Sequence, residues 1–307
     1  MASGAGVAPY STTPYSRMLH ELYQDVFLKV SDASTYVFLC GANPSSGVSL
    51  RSLIHDKLKS EARVDVVFPE WLFASYLRNP SFDLIWLEQQ LAGSVDFIVI
   101  PLESLGTIAE LGAFASVQEL HKKTLVLNDA DYASSPSFIN KGPIKAIKRS
   151  KKDNVIFYDK SDVARAVDRV VSRIVNVRRK ERKQDISNLF TLAQFIVIVI
   201  ALMQPVSERQ LSHVLAHWNS QVPGDLVPAC LATLLEKGHL YRTTETERFE
   251  DVYGVSQAGF EALHQGVLLD AGRAKVFAAL RAEVIRARLR TTSRFNADKE
   301  WERLLEV

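Results

Sequence analysis

Two kinds of hydrophobic pattern alternate along the first half of the chain. Short runs of consecutive Val, Ile, Leu and Phe residues are each followed by a stretch in which apolar residues recur every three or four positions. Unbroken apolar runs are typical of parallel strands covered by helices on both faces, and the longer spacing predicts those helices. Five strands are predicted: Tyr36–Leu39, Val64–Phe68, Phe97–Ile100, Thr124–Leu127 and Val155–Tyr158.

Helical spacing fills the intervals between these runs. A helix over Met18–Leu28 is predicted to lead into the first domain. The other predicted helices are Leu50–Leu58, Trp71–Leu77, Leu84–Leu91, Ile108–Leu120, Ile139–Ile147 and Val163–Val177. Strands that alternate with helices predict an α/β fold, a flavodoxin-like doubly wound parallel sheet. In such sheets ligands bind beyond the carboxyl ends of the strands.

After Asp185 the pattern changes to helices followed by a hairpin. Ser207 is predicted to cap the second helix and Gly238 to close the third. The predicted elements are helices over Leu189–Met203, Glu208–His217 and a stretch ending at Leu235, then strands over His239–Thr244 and Asp251–Val255. This order is typical of a winged helix-turn-helix. The predicted domains are therefore an N-terminal arm and helix (1–30), the α/β domain (31–180) and a winged-helix domain with a basic C-terminal helix (181–307).

Composition narrows the class of protein. The 307 residues are 47% hydrophobic and 23% charged, which excludes wholesale disorder. Residues 1–140 carry an excess of acids, whereas residues 141–183 hold fifteen Lys and Arg against five Asp and Glu. Such a stretch favours a polyanionic partner, although solvated helix faces would look the same. The final helix, with Arg281, Arg286 and Arg288, is expected to add to this surface.

Nothing in the sequence points to a membrane, an export signal or a metal. The longest aliphatic run, at 195–203, is too short to span a bilayer. Cys40 and Cys230 are far apart and are predicted to be buried thiols. His213 and His217 lack the Glu that a zinc-binding helix carries between them. We therefore expect a soluble, cytoplasmic protein without a metal site.

The segment from Gly93 to Phe114 holds the candidate chemistry. A strand is predicted to end at Pro101 and a helix to begin near Ile108, which places Glu110 in the first helical turn. The positive helix terminus favours an ionised carboxylate there by roughly 0.3–1 kcal/mol. With Glu103 in the preceding loop and Glu88 on the preceding helix, an exposed Glu110 suits cleavage at the anomeric carbon of a sugar. Ordinary helix capping would produce the same position for Glu110.

The string GT-x-x-ELGAF at 106–114 resembles the catalytic signature of nucleoside 2-deoxyribosyltransferases. The resemblance implies that Glu110 is the nucleophile and that Glu88, eight residues before Asp96, orients the nucleoside. The acid that the family carries six residues before the nucleophile falls on Ser104, so the role of Glu103, one position earlier, stays open.

Residues around the sugar follow from the same resemblance. The loop CGANPSSG at 40–47 is similar to the family's glycine-bearing loop beside the sugar and base. Asp129, after the fourth strand, either reaches the ligand or forms a structural Asx turn. The expected substrate-binding residues are Cys40, Gly41, Ala42, Asn43, Gly106, Thr107 and Asp129.

A wider resemblance covers most of the chain. The strings FLCGA at 38–42, FPEWLF at 68–73, ELGAF at 110–114 and SFIN-x-GP at 137–143, followed by a winged helix, resemble the effector proteins of type II retrons. The resemblance implies a toxin of an antiphage system, controlled by a reverse transcriptase and its multicopy single-stranded DNA (msDNA), in a higher-order assembly.

For the reaction, the resemblance implies an N-glycosidase that hydrolyses the nicotinamide–ribose bond of NAD. NAD would be the substrate rather than a cofactor, since no GxGxxG motif is present. Two alternatives stay open: a deoxyribosyltransferase of nucleoside salvage, and a non-enzymatic winged-helix DNA-binding regulator with a nucleotide-sensing domain.

Overall fold

The computed structural model describes residues 14–29, 34–41, 49–61, 64–72, 84–176, 185–245 and 250–291. The chain forms two compact units, one of Asp32–Arg182 and one of Met1–Ser31 together with Lys183–Val307. Helix α1 (Pro14–Glu21) continues through short π and 3-10 turns to Lys29. This segment belongs to the C-terminal unit, although its helical spacing just before the first strand predicted that it leads into the sheet domain.

Aromatic packing explains where the N-terminal segment lies. Tyr23 and Phe27 follow α1, and the Tyr23 ring lies 5.2 Å from that of Trp218. The Phe27 ring lies 5.0 Å from that of Phe195. Because large rings bury much apolar surface, these contacts fix the segment to the helices of the C-terminal unit.

The sheet unit contains the five predicted strands. They are β1 (Thr35–Leu39), β2 (Val64–Val67), β3 (Phe97–Pro101), β4 (Thr124–Asp129) and β5 (Val155–Tyr158). All four neighbouring pairs are parallel, in the order β2-β1-β3-β4-β5. This is the flavodoxin-like order, so the fold-class prediction is confirmed. The winding reverses between β1 and β3, where such sheets bind their ligands.

Helices cover this sheet. They are α2 (Leu50–Leu58), α3 (Pro69–Leu72), α4 (Leu84–Ser94), α5 (Leu105–Ala115), α6 (Lys145–Ser150) and α7 (Val163–Val175). Ile54 and Leu58 of α2 and Val170 of α7 pack on the buried residues of β1, β3 and β4. Of the helix predicted over Trp71–Leu77, residues 73–77 lie outside the described part.

The C-terminal unit has the element order of a winged helix. Its elements are α8 (Leu189–Met203), β6 (Val206–Ser207), α9 (Glu208–Trp218), α10 (Leu226–Glu236), β7 (Leu240–Glu245), β8 (Glu250–Val255), α11 (Gln257–Leu263) and α12 (Ala271–Thr291). The three strands form an antiparallel sheet, β6-β8-β7. Ser207 caps α9 as predicted, and Gly238 follows α10 with φ +68°. Among the described helices, none has the length and apolarity to cross a bilayer.

Two arginines of α12 correct the expectation of a basic surface on this helix. Arg281 donates to the backbone carbonyl of Leu202 at 2.8 Å, and Arg288 donates to that of Met203. The carbonyls at a helix end lack partners in the helix itself, so these guanidinium groups complete the C-terminus of α8. Arg286 is exposed.

Candidate functional site

The candidate site lies at the switch point of the sheet. Cys40 follows β1 directly, and its backbone N–H donates to the Val99 carbonyl of β3 at 2.9 Å. Glu110 lies on α5, the helix that follows β3. The topology therefore brings together two predicted site residues that are seventy positions apart in sequence.

Glu110 differs from the sequence prediction in position and in charge state. Ser104 caps α5 and forms a capping box with Thr107, so the helix begins at Leu105 and Glu110 falls in its second turn. The side chain is half-buried rather than exposed. Burial, followed by the charges of Glu88 and Glu70, raises the pKa of Glu110 to about 7. The expected preference for an ionised carboxylate in the first turn is therefore wrong.

The Glu110 carboxyl is incompletely satisfied. A hydrogen bond from the Cys40 thiol acts to lower its pKa. Its Oε2 atom is buried and accepts no hydrogen bond from any described residue. Leaving a buried acceptor without a partner costs about 1–3 kcal/mol. A ligand that donates a hydrogen bond to this oxygen would therefore remove that cost.

The Cys40 side chain is fully buried. Burial, then the charges of Glu110 and Glu88, raises the pKa of the thiol well above its usual value. The group therefore remains protonated and acts as a donor toward Glu110. The family resemblance implies that Cys40 lies beside the sugar, which stays a prediction; its thiol interacts with the Glu110 carboxyl.

Glu88 lies near enough to Glu110 for its charge to raise the pKa of that carboxyl, while its predicted contact with the nucleoside stays a prediction. It lies half-buried on α4, and burial, then the charge of Glu70, raises its pKa. Glu70 is a further carboxylate, and no role was predicted for it from the sequence. It lies in the string FPEWLF at 68–73. It follows β2 in the first turn of α3. Three carboxyl groups therefore interact at the carboxyl edge of the sheet.

Arg51 is the cation of this cluster. Its side chain is 0% exposed, and it donates to both carboxylate oxygens of Glu70, at 2.9 and 2.8 Å. The guanidinium also donates to the Gly41 carbonyl and lies 4.6 Å from the centre of the Phe68 ring. The sequence does carry a signal for this residue, since Arg51 shares the apolar face of α2 with Ile54 and Leu58.

The backbone conformation and the packing at position 41 both require glycine. Its φ is +137°, and a Cβ atom at this position would lie 2.8 Å from Cδ of Arg51. Only glycine combines this backbone conformation with the close approach of the arginine. The predicted binding residues Ala42 and Asn43 lie outside the described residues.

Thr107 and Gly106 occupy the start of α5 in different ways. The buried Thr107 hydroxyl donates to the Ser104 carbonyl at 2.8 Å. Gly106 is exposed, and a Cβ atom there would meet only Ser104 Oγ, at 3.7 Å. No described neighbour therefore requires glycine at position 106. Because Gly106 is exposed and has no side chain, a ligand could approach the helix backbone closely at this point.

Glu103 and Asp129 have local partners instead. The Glu103 carboxylate accepts from the Leu50 N–H at 3.0 and 3.1 Å and so caps α2. Asp129 accepts from the Asp131 N–H at 3.0 Å and pairs with Lys160 Nζ at 2.6 Å. Lys160 holds the pKa of Asp129 below its usual value. These are the bonds of a structural Asx turn, and contact of Asp129 with substrate stays a prediction.

The described residues offer no clear place for a metal ion. No three His, Cys, Asp or Glu side chains come together there in a ligand arrangement.

Comparison with known proteins assigns the family. Residues 47–241 match the family model described as "STM3845 retron effector protein". The chain is 30% identical over 210 residues to the Escherichia coli "Retron Ec86 putative ribosyltransferase/DNA-binding protein", which covers 64% of this chain and 68% of that protein. It is 35% identical over 127 residues to the retron Ec73 protein of the same description, also from Escherichia coli, covering 39% and 40%. The chain belongs to the STM3845 family of retron effector proteins.

Proposed function

We propose that this retron effector is an N-glycosidase that hydrolyses the nicotinamide–ribose bond of NAD, and that Glu110 acts on the anomeric carbon. The observation that carries the proposal is the half-buried Glu110 carboxyl at the switch point, with one buried oxygen that no described residue satisfies. Perturbed carboxyls in such crevices are candidates for catalysis. The names of both relatives include ribosyltransferase, which supports transfer or hydrolysis of a glycosyl group.

The charge balance favours a cationic substrate. The charge of Glu88 raises the pKa of Glu110, the charge of Glu70 raises the pKa of both, and Arg51 is paired with Glu70. A cationic nicotinamide ring, or an oxocarbenium-like transition state, relieves this repulsion because opposite charge stabilises both carboxylates. A neutral deoxynucleoside offers no such relief before its bond breaks. The cluster therefore supports NAD over the substrates of nucleoside salvage.

The reaction needs few groups. The C1′–N bond breaks and its electron pair leaves with nicotinamide, which departs neutral and requires no proton. The Glu110 carboxylate attacks or stabilises C1′, and water then completes the ADP-ribose product. Glu88 is the nearby carboxylate suited to receive the proton of that water, because burial raises its pKa. A catalytic role for Glu103, whose carboxylate binds the Leu50 N–H, stays a prediction.

The test is release of nicotinamide from NAD, followed by NMR, for the wild type, Glu110→Gln and the control Glu119→Gln. Glu119 is an exposed residue just beyond α5. We expect wild-type turnover, a loss of about 10³-fold or more in Glu110→Gln, and no change in the control. Where the isolated wild type is silent, the assay is repeated with the retron reverse transcriptase and msDNA. Full activity of Glu110→Gln, or a wild type silent in both assays, would overturn the proposal.

We also propose that the retron reverse transcriptase and msDNA control this activity, as expected of a toxin in antiphage defence. Support comes from the segment 141–152. Its exposed cations form no ion pair with any described residue: Lys141, Lys145, Lys148, Arg149, Lys151 and Lys152. Clustered, uncompensated cations bind phosphate backbones through release of counterions. The RRKERK string at 178–183 lies outside the described residues.

Charge reversal tests this surface. Lys148→Glu/Arg149→Glu is expected to reduce the msDNA that co-purifies with the effector at least tenfold, since two cations become anions. The matched control is Lys275→Glu, an exposed lysine of α12. Equal msDNA recovery from both variants would contradict the proposed surface.

A further inference from the structure

The pair formed by Arg51 and Glu70 is asymmetric in exposure. The Arg51 side chain is 0% exposed, whereas that of Glu70 is 44% exposed. A buried guanidinium requires a well-oriented counterion, and the bidentate arrangement fixes both side chains. The fold therefore holds one face of the Glu70 carboxylate rigidly against Arg51 and leaves the other face toward solvent.

The exposed face of the Glu70 carboxylate can accept further hydrogen bonds. A carboxylate has about four lone-pair positions on its two oxygens. Arg51 uses one position on each oxygen, and no other described residue donates to Glu70. A pre-oriented carboxylate with both oxygens still able to accept suits a ligand that presents two neighbouring donors.

Glu70 is connected to the proposed catalytic carboxyl through a short chain of contacts. Arg51 donates to the carbonyl of Gly41, the residue after Cys40, and the Cys40 thiol acts to lower the pKa of Glu110. Glu70 follows β2, the strand that pairs with β1. The charge of Glu70 also raises the pKa of both Glu88 and Glu110. Glu70 therefore belongs to the same cluster of interacting carboxyl groups.

We propose that Glu70, positioned by Arg51, accepts hydrogen bonds from the 2′- and 3′-hydroxyls of the ribose and so selects ribosides over 2′-deoxyribosides. This inference rests on the proposed function and adds a specificity-determining residue to it. A vicinal diol supplies the two donors that the carboxylate can accept, and a 2′-deoxy sugar leaves one oxygen desolvated without its donor. Hydrogen bonds to this hydroxyl strengthen as the glycosidic bond breaks.

The test compares kcat/KM for NAD with kcat/KM for the analogue that lacks the 2′-hydroxyl on the nicotinamide ribose. The preference of the wild type for NAD is expected to fall at least tenfold in Glu70→Gln. Because this change leaves Arg51 buried without a counterion, the second variant is Arg51→Met/Glu70→Gln, which removes both charges. Glu119→Gln is the control and should keep the wild-type ratio.

The ratio separates specificity from stability. A purely structural role for Glu70 would change both substrates equally and leave the ratio intact in both variants, which would overturn this inference alone. A wild type that cleaves neither substrate, with or without its retron partners, would overturn the proposed function and this inference with it.

Discussion

The end of α8 and the Glu110 carboxyl differ in how far their polar groups are satisfied. In the C-terminal unit, the guanidinium groups of Arg281 and Arg288 donate to the carbonyls at the end of α8. At the edge of the parallel sheet, Glu110 keeps a buried oxygen without a described partner and has a pKa near 7. Charge that stabilises a fold is satisfied within it, whereas charge kept at a cost is where a ligand is expected.

The pH dependence of NAD cleavage is the largest effect expected from this contrast. The pKa of Glu110 is raised to about 7, so the carboxyl is protonated below that pH and the nucleophile is lost. We expect kcat/KM to fall roughly 50-fold between pH 7 and pH 5, because about half of the Glu110 carboxyls are ionised at pH 7 and about one in a hundred at pH 5. Glu88→Gln should move this limb to lower pH, because the Glu88 charge contributes to the shift. A flat profile between pH 5 and 7 would contradict the assignment.

The raised pKa of Glu110 should also lower the free energy of unfolding at high pH, in the absence of any substrate. A carboxyl whose pKa is higher in the folded than in the unfolded protein binds more protons when folded, so stability falls as pH rises from about 4.5 to about 7. Glu110→Gln removes this loss and should be more stable than the wild type at pH 8 by about 2 kcal/mol, with a smaller difference at pH 5. Thermal unfolding at the two pH values measures it. If the difference in stability between Glu110→Gln and the wild type were the same at both pH values, the pKa of Glu110 would not be raised in the folded protein.

Removing an arginine that completes the end of α8 should lower stability, whereas removing the Glu110 charge should raise it. Arg281→Ala should lower the free energy of unfolding of the C-terminal unit by about 1–3 kcal/mol, because the Leu202 carbonyl loses a charged donor. Arg286→Ala, at an exposed position of the same helix, should change it by less than about 0.5 kcal/mol. Calorimetry of both variants makes the comparison. Equal stability would show that the cap contributes nothing.

The smallest effect is expected at Glu103. Its carboxylate faces the N-terminus of α2, where a negative charge contributes about 0.3–1 kcal/mol. Glu103→Gln should lose that much stability and keep NAD cleavage within about threefold. A loss above 100-fold would instead place Glu103 in the catalytic step, as the sequence resemblance allowed.

The sequence predicted the sheet better than the site. The five strands lie within two residues of their predicted bounds, because unbroken apolar runs report a local property of the chain. The ionisation of Glu110 depends on where α5 begins, which the side chains of Ser104 and Thr107 decide. The shift of its pKa depends on Glu88 and Glu70, which reach it only through the fold.

Long-range pairs account for the remaining differences. Arg51 and Glu70 are nineteen residues apart, and Arg281 meets a carbonyl 79 positions away. Periodicity along one helix identifies Arg51 as unusual on an apolar face, but it does not identify the partner. The same limit explains why the arginines of α12 were expected at a surface.

The most direct test of the uncompensated carboxyl is a carbon-13 NMR titration of protein labelled at the Glu side-chain carboxyls, beside Glu110→Gln. It requires neither substrate nor retron partners. We expect one resonance that titrates near pH 7 in the wild type and is absent from the variant. If the resonance missing from the variant titrates near 4.5, the ordinary value for Glu, the carboxyl is not held at a cost and the central claim fails.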